Sequence, residues 1–278
     1  MNKKYDMKVA IQGIKGSFHH LVANHYFGKN IELVECLSFS KLPVLLQTNK
    51  AEVAVMAIEN SIAGAILPNY SLIDEHNLTI SGEYYLSVRH NLMALENQKI
   101  EDIKEVYSHP MALLQCREFF KKYPNIKLIE DTDTASVAKR IQKQKLKGVG
   151  AIASITAAEI YDLSILAADI QTITNNATRF FVLTKSENKH SVSANKASIK
   201  FIVSDDTGSL AEVLTILAKH HLNLSKIQSM PVMETPWKYA FFADFVFSSY
   251  ADYYNALEEV KHKVEMLQVL GEYTKSKR

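Results

Sequence analysis

Apolar positions in this chain come in short runs separated by stretches of helical period. Residues 7–12 (MKVAIQ) read as a buried strand and 13–16 as a tight glycine loop. Residues 17–27 read as a helix capped by Ser17, with Phe18, Leu21, Val22, His25 and Tyr26 on its apolar face. The unit recurs in kind. Strand 53–58 runs into Glu59-Asn60-Ser61 and a loop at Gly64. A third strand ends at Ser108-His109. There Pro110 suits the first helical position, and Ala112, Leu113, Cys116, Phe119 and Phe120 form an apolar stripe. Strand 150–154 precedes a helix over 156–161. The polar cluster Asn175-Asn176-Ala177-Thr178-Arg179-Phe180 reads as a loop feeding a last buried strand, 180–183.

Strands alternating with helices predict an α/β fold with mostly parallel sheets. In such sheets ligands sit beyond the carboxyl ends of strands, where helix N-termini offer free N–H groups and a dipole to an anion. Ser17, Asn60-Ser61 and Ser108-His109 all fall at strand-to-helix turns. Together with 175–180 they form one candidate site for an anionic, oxygen-rich small molecule. Residues 184–196 are polar without an apolar period and read as a linker. Beyond them the pattern changes. Strand 197–204, helix 209–220, strands 223–232 and 239–247, helix 250–264 and strand 266–273 give the β-α-β-β-α-β order of a ferredoxin-like unit.

Bulk properties narrow the function. The 278 residues suffice for about two domains. A net charge of +2 supplies no global field for nucleic acid or a membrane surface. The run of basic residues from Lys139 to Lys147 reads as a solvated helix face. Cys36 and Cys116 lack metal-type spacing, as do the ten histidines, so no metal site is expected. The start, MNKKYDMKV, has no signal-peptide core, and the apolar runs are strand-length, which points to a soluble, cytoplasmic protein.

Six fragments, in order, resemble prephenate dehydratases with a C-terminal ACT regulatory domain. They are Gly13-Ile14-Lys15-Gly16-Ser17-Phe18, Ile58-Glu59-Asn60-Ser61 with Gly64, Ser108-His109-Pro110 leading to Gln115-Cys116, Asp133-Thr134-Ala135, Gly150-Ala151-Ile152-Ala153-Ser154, and the 175–180 cluster. The resemblance spans nearly the whole chain. It implies a bilobed catalytic region shaped like a type II periplasmic binding protein, over residues 1–188. One lobe would be about 1–80 with 171–188, the other about 81–170, with the site in the cleft. A linker over 189–196 and an ACT domain over 197–278 would follow. The implied reaction converts prephenate to phenylpyruvate, water and carbon dioxide on the route to phenylalanine, without cofactor or metal.

Losing the ring carboxylate as carbon dioxide expels the ring hydroxyl, and aromatisation drives the step. The resemblance assigns Thr178 to the leaving group. Arg179 is the expected carboxylate clamp, because a guanidinium binds bidentately and stays charged. His109 is a second proton-donor candidate on intrinsic pKa. Asn60, Gln115 and Asn176 are neutral amides that can orient oxygens. Ser17, Ser61, Ser108 and Thr134 are candidate donors to substrate oxygens. Phe180 is a candidate wall against water. Arogenate dehydratase, acting at the same site on an amino substrate, and a non-catalytic amino-acid sensor are the alternatives.

In related enzymes the ACT domain binds phenylalanine through a Gly-Ala-Leu and a Glu-Ser-Arg-Pro motif. Here these read Gly208-Ser209-Leu210-Ala211 and Gln228-Ser229-Met230-Pro231, with Asn223-Leu224 at the turn between. Two charged positions of the second motif are neutral, so the pocket's charge network is altered. The exposed strand edge of such a unit predicts a homodimer or homotetramer.

Overall fold

The computed structural model describes residues 6–185, 193–232 and 235–277. The chain begins with β1 (Met7–Gln12), α1 (Phe18–Phe27), β2 (Ile31–Cys36), α2 (Lys41–Gln47), β3 (Val53–Asn60), β4 (Gly64–Ala65), α3 (Leu67–Glu75) and β5 (Thr79–Ser87). It continues through β6 (Asn91–Ala94), β7 (Glu105–Ser108), α4 (Pro110–Phe120), β8 (Lys127–Glu130), α5 (Thr134–Gln144), β9 (Val149–Ala153), α6 (Ile155–Ile160) and β10 (Ser164–Ala167). Then come β11 (Ala177–Thr184), β12 (Lys196–Ile202), α7 (Ser209–Lys219), β13 (Asn223–Pro231), β14 (Tyr239–Val246), α8 (Tyr250–Lys261) and β15 (Met266–Tyr273). Two compact units result: residues 1–69 with 85–180, and residues 70–84 with 181–278.

One sheet has the order β2-β1-β3-β11-β5, with β4 on β3, and a second has β10-β6-β9-β7-β8. The fold is mixed α/β, but the second sheet departs from the mostly parallel expectation. β7 is parallel to β8 and β9, whereas β6 is antiparallel to both β9 and β10. β6 enters this sheet directly from β5 of the other one, through residues 88–90, so no helical crossover within the sheet fixes its direction as one does between β7 and β8. Parallel strands buried on both faces read as continuous apolar runs, and β1 and β3 do so, with Val9, Ala10, Ile11, Val55 and Met56 fully buried.

The buried face of α1 is a second departure. His25 and Tyr26 are exposed, and the helix instead buries His19, His20, Val22 and Ala23. The two histidines tolerate burial because backbone groups satisfy them: His19 Nε2 accepts from Ala57 N at 3.3 Å and His20 Nδ1 from Gly16 N at 3.0 Å. Gly16 has φ +89°, and a Cβ there would lie 3.1 Å from Ala157 Cα in α6. Ser154, the cap of α6, donates from Oγ to Gly16 O at 2.7 Å, so the glycine loop is seated on that helix.

The smaller unit carries an antiparallel sheet of order β13-β14-β12-β15, covered by α7 and α8 around Ile199, Phe201, Val213, Leu217, Phe245 and Tyr253. The linker expected over 189–196 ends inside this sheet, with residues 189–192 outside the described residues. Lys196 opens β12 with its ammonium buried on both carboxylate oxygens of Glu83, at 2.9 and 2.7 Å. A polar residue reads as linker in sequence. Here a carboxylate far back in the chain makes its burial tolerable. Lys200 pairs likewise with Asp74 at 2.5 Å.

Candidate active site

A cavity of about 370 Å³ lies within the unit of residues 1–69 and 85–180. Gln12 and Gly13 reach it from the end of β1, Asn60 from the end of β3, and Thr178 and Phe180 from β11. The starts of three helices also meet it: Ser17 and Phe18 at α1, His109 and Met111 at α4, Asp133 and Thr134 at α5. Each start is capped by its own side chain. Ser17 Oγ accepts from His20 N at 3.2 Å, His109 Nδ1 from Met111 N at 3.2 Å, and Asp133 Oδ1 from Ser136 N at 2.8 Å. One cap satisfies only part of a first turn, so N–H groups and dipole remain for an anion. No Lys or Arg is among the lining residues of this cavity.

A chain of amides crosses the site, and its polarity can be read from a fixed end. Backbone Ile62 N and Ala63 N both donate to Asn60 Oδ1, at 3.0 and 2.9 Å. Asn60 Nδ2 therefore donates, to Asn176 Oδ1 at 2.7 Å and to Thr178 Oγ1 at 2.9 Å. Asn176 Nδ2 in turn donates to Gln115 Oε1 at 3.0 Å. That oxygen also lies 2.9 Å from His90 Nε2, which must then carry the imidazole hydrogen. Two donors are left over: the Thr178 hydroxyl hydrogen, on an oxygen already accepting from Asn60, and the Gln115 NH₂ group.

Strand alternation sorts the expected residues. The 175–180 cluster is not wholly a loop, because β11 begins at Ala177. Thr178 and Phe180 consequently share the cavity face and Arg179 takes the opposite one. Arg179 is 3% exposed, its NH1 lies 4.0 Å from Glu59, and its guanidinium sits 5.8 Å from the Tyr85 ring centroid. It is not a cavity clamp in this structure. Ser61 and Ser108 are also absent from the wall. Ser61 Oγ accepts from Ala177 N at 3.0 Å, tying the end of β3 to the start of β11, and Ser108 Oγ donates to Ile152 O at 2.6 Å. Ser17, Asn60, His109, Gln115, Thr134, Asn176, Thr178 and Phe180 do line it.

Sequence reasoning passed over His19 and His90. His19 accepts from Ala57 N and meets the Phe180 ring edge-on with centroids 5.0 Å apart; burial pulls its pKa down to about 3. His90 is 3% exposed and its pKa is likewise lowered by burial. A signal for it exists: His90-Asn91 stands directly before the apolar run Leu92-Met93-Ala94. Phe39, Ala57, Ile66, Val88 and Met111 join Phe180 as the apolar part of the wall.

The sequence signature of the family described as prephenate dehydratase matches residues 9–188. The chain is 35% identical to the bifunctional chorismate mutase/prephenate dehydratase of Aquifex aeolicus, over 97% of this chain and 74% of that protein. It is 37% identical to arogenate dehydratase 2 of Petunia hybrida, over 96% and 71%. Among solved structures it is similar to GqqA, described as a novel type of quorum quenching acylase (TM-score 0.87, 25% identity, 97% of this chain and 98% of that one). It is also similar to the Arthrobacter aurescens prephenate dehydratase in complex with L-Phe (TM-score 0.83, 22% identity, 96% and 90%).

Proposed function

The chain belongs to the prephenate dehydratase family and acts on prephenate, and from that premise we propose how its cavity carries out the reaction. The observation that carries the reading is the oriented amide chain ending at Thr178. Asn60 donates into Thr178 Oγ1, which leaves the hydroxyl hydrogen to point at the substrate's ring hydroxyl. As the carboxylate leaves, its C–C electron pair enters the ring and the C–O pair departs with the oxygen. Negative charge builds on that oxygen, and the Thr178 hydrogen bond strengthens with it. The oxygen departs as hydroxide, takes up one proton supplied by solvent, and leaves as water. Thr178 thus needs no unusual acidity, only a fixed direction.

His109 fits the donor role less well. Its Nδ1 lone pair caps α4, and an imidazolium would lose that bond. The carboxylates rest on the NH₂ of Gln115, Ser17, Thr134 and the three helix starts. Phe180 and its apolar neighbours leave the departing carboxylate poorly hydrated.

We keep the expected division into a catalytic domain over residues 1–188, with lobes of about 1–80 with 171–188 and about 81–170, a linker over 189–196 and an ACT domain over 197–278, with Lys196 moved from the linker to the start of the ACT sheet because it opens β12. A role for L-phenylalanine at that domain is supported by the Arthrobacter relative's complex and by a second cavity of about 440 Å³ lined by Gly208, Ser209, Leu210 and Ala211. Asn223, Leu224, Gln228 and Ser229 lie on β13, an edge strand of the sheet. A second copy paired along that edge would bring them to the pocket, making the enzyme a homodimer or homotetramer. Among the described residues no helix is long and apolar enough to cross a membrane.

Arogenate is the second reading, favoured by the likeness to the Petunia enzyme and by Asp133, a carboxylate on the cavity wall that an ammonium could meet. Incubation with prephenate and with arogenate, following phenylpyruvate and phenylalanine, separates the two. Thr178→Ala should lower kcat about 100- to 1000-fold with KM nearly unchanged. A near-normal rate removes Thr178 from the mechanism.

A further inference from the structure

We propose that His90 is a positioning residue of this site. Its Nε2–H fixes the Gln115 amide with the oxygen toward the protein and the NH₂ toward the substrate. The inference rests on the cavity being the prephenate site.

Four observations converge on it. Gln115 Oε1 receives two donors, Asn176 Nδ2 at 3.0 Å and His90 Nε2 at 2.9 Å. Asn176 alone would leave the amide free to swing about one bond, whereas two donors from separate segments, one just before β6 and one just before β11, define its plane. Secondly, His90 is itself held. Gln171 Oε1 accepts from His90 N at 2.8 Å, Ile170 N donates to His90 O at 2.9 Å, and the ring meets Phe18 edge-on with centroids 5.6 Å apart. Thirdly, Thr172 N donates to Gln115 O at 2.9 Å, so residues 170–172 fasten both partners.

Finally, His90 Nδ1 is buried with no hydrogen-bond partner among the described residues. An unpaired buried acceptor destabilises a fold, and an apolar ring would fill the same space without that penalty. Packing therefore does not explain a histidine here, but the need for an N–H at Nε2 does. Burial keeps the ring neutral, so this donor adds no charge to the wall. A cationic donor would hold the dianion and its product alike. A neutral one only sets direction.

Gln places an amide nitrogen where Nε2 lies in histidine, whereas Asn reaches only to the Nδ1 position. His90→Asn should lower kcat/KM for prephenate by tenfold or more, and His90→Gln should restore it to within about threefold of the parent. In a Gln115→Ala background His90→Asn should change kcat/KM less than threefold, because the group it positions is gone. Equal losses in His90→Asn and His90→Gln, or a full tenfold loss in the Gln115→Ala background, overturn the proposal. Should His90→Asn fail to fold, His90→Gln decides alone: activity within threefold supports the donor role and a tenfold loss overturns it. Gln115→Ala and Thr178→Ala serve as controls for the site. If neither lowers activity, the site reading fails. If both do and His90→Asn does not, only this inference fails.

Discussion

Asn60→Asp is nearly isosteric but reverses the polarity of the bond that directs Thr178. In the parent, Asn60 Nδ2 donates to Thr178 Oγ1 at 2.9 Å and to Asn176 Oδ1 at 2.7 Å. A carboxylate oxygen in that place accepts, so the Thr178 hydroxyl turns to donate to it and is lost to the substrate. Removing one preorganised donor costs about 100- to 1000-fold in kcat. The new charge adds a second effect. A substrate carboxylate about 6 Å away, at an effective dielectric of about 20, is repelled by about 3 kcal/mol. That is about a 100-fold loss of affinity. Asn60→Ala removes the donor without adding the charge, so it should lose turnover and keep most of its affinity. The assay is initial-rate phenylpyruvate formation over a range of prephenate concentrations, with melting temperatures to confirm folding. A folded Asn60→Asp enzyme retaining a third of the parent kcat refutes the directed-hydroxyl reading.

Arg179→Lys should leave KM for prephenate within about twofold and lower stability by about 1–2 kcal/mol, since the guanidinium packs by Glu59 and Tyr85 away from the cavity. A tenfold rise in KM would return it to the site. Glu83→Ala removes the carboxylate that holds the buried Lys196 ammonium and should cost about 3–5 kcal/mol in denaturant unfolding, whereas Glu83→Leu with Lys196→Met should recover most of it. Burial favours neutral His19, so its contribution is full above pH 6.5 and is lost as pH falls toward about 3. Between pH 6.5 and pH 5 the parent should lose about 2 kcal/mol more stability than His19→Gln does. Parallel pH–stability curves would contradict the buried neutral ring.

Periodicity revealed the elements that carry their own pattern. β1 and β15 have the bounds read from sequence, and Ser17 caps α1 as expected. It gave less where tertiary partners decide. Thr178-Arg179 reads as loop because both are polar, yet β11 starts at Ala177 and includes them, and that earlier start decides which faces the cavity. Lys196 reads as linker because its partner, Glu83, lies elsewhere in the chain. Ser61 and Ser108 look like substrate donors because a sequence cannot show that Ala177 N and Ile152 O already engage them. β6 and β10 are four residues each, too short for alternation to show, and with them His90 escaped notice.

The absence of Lys and Arg from the cavity wall bears on turnover rather than capture. Helix starts, amides and hydroxyls hold an anion in proportion to the charges it presents. Prephenate brings two carboxylates, phenylpyruvate keeps one, and carbon dioxide and water carry none. Each bond broken therefore removes part of what retained the substrate, and the grip slackens as the reaction proceeds. A fixed cation would go on holding the remaining carboxylate. Neutral donors, beside the single carboxylate of Asp133 among the lining residues, instead favour departure of the product.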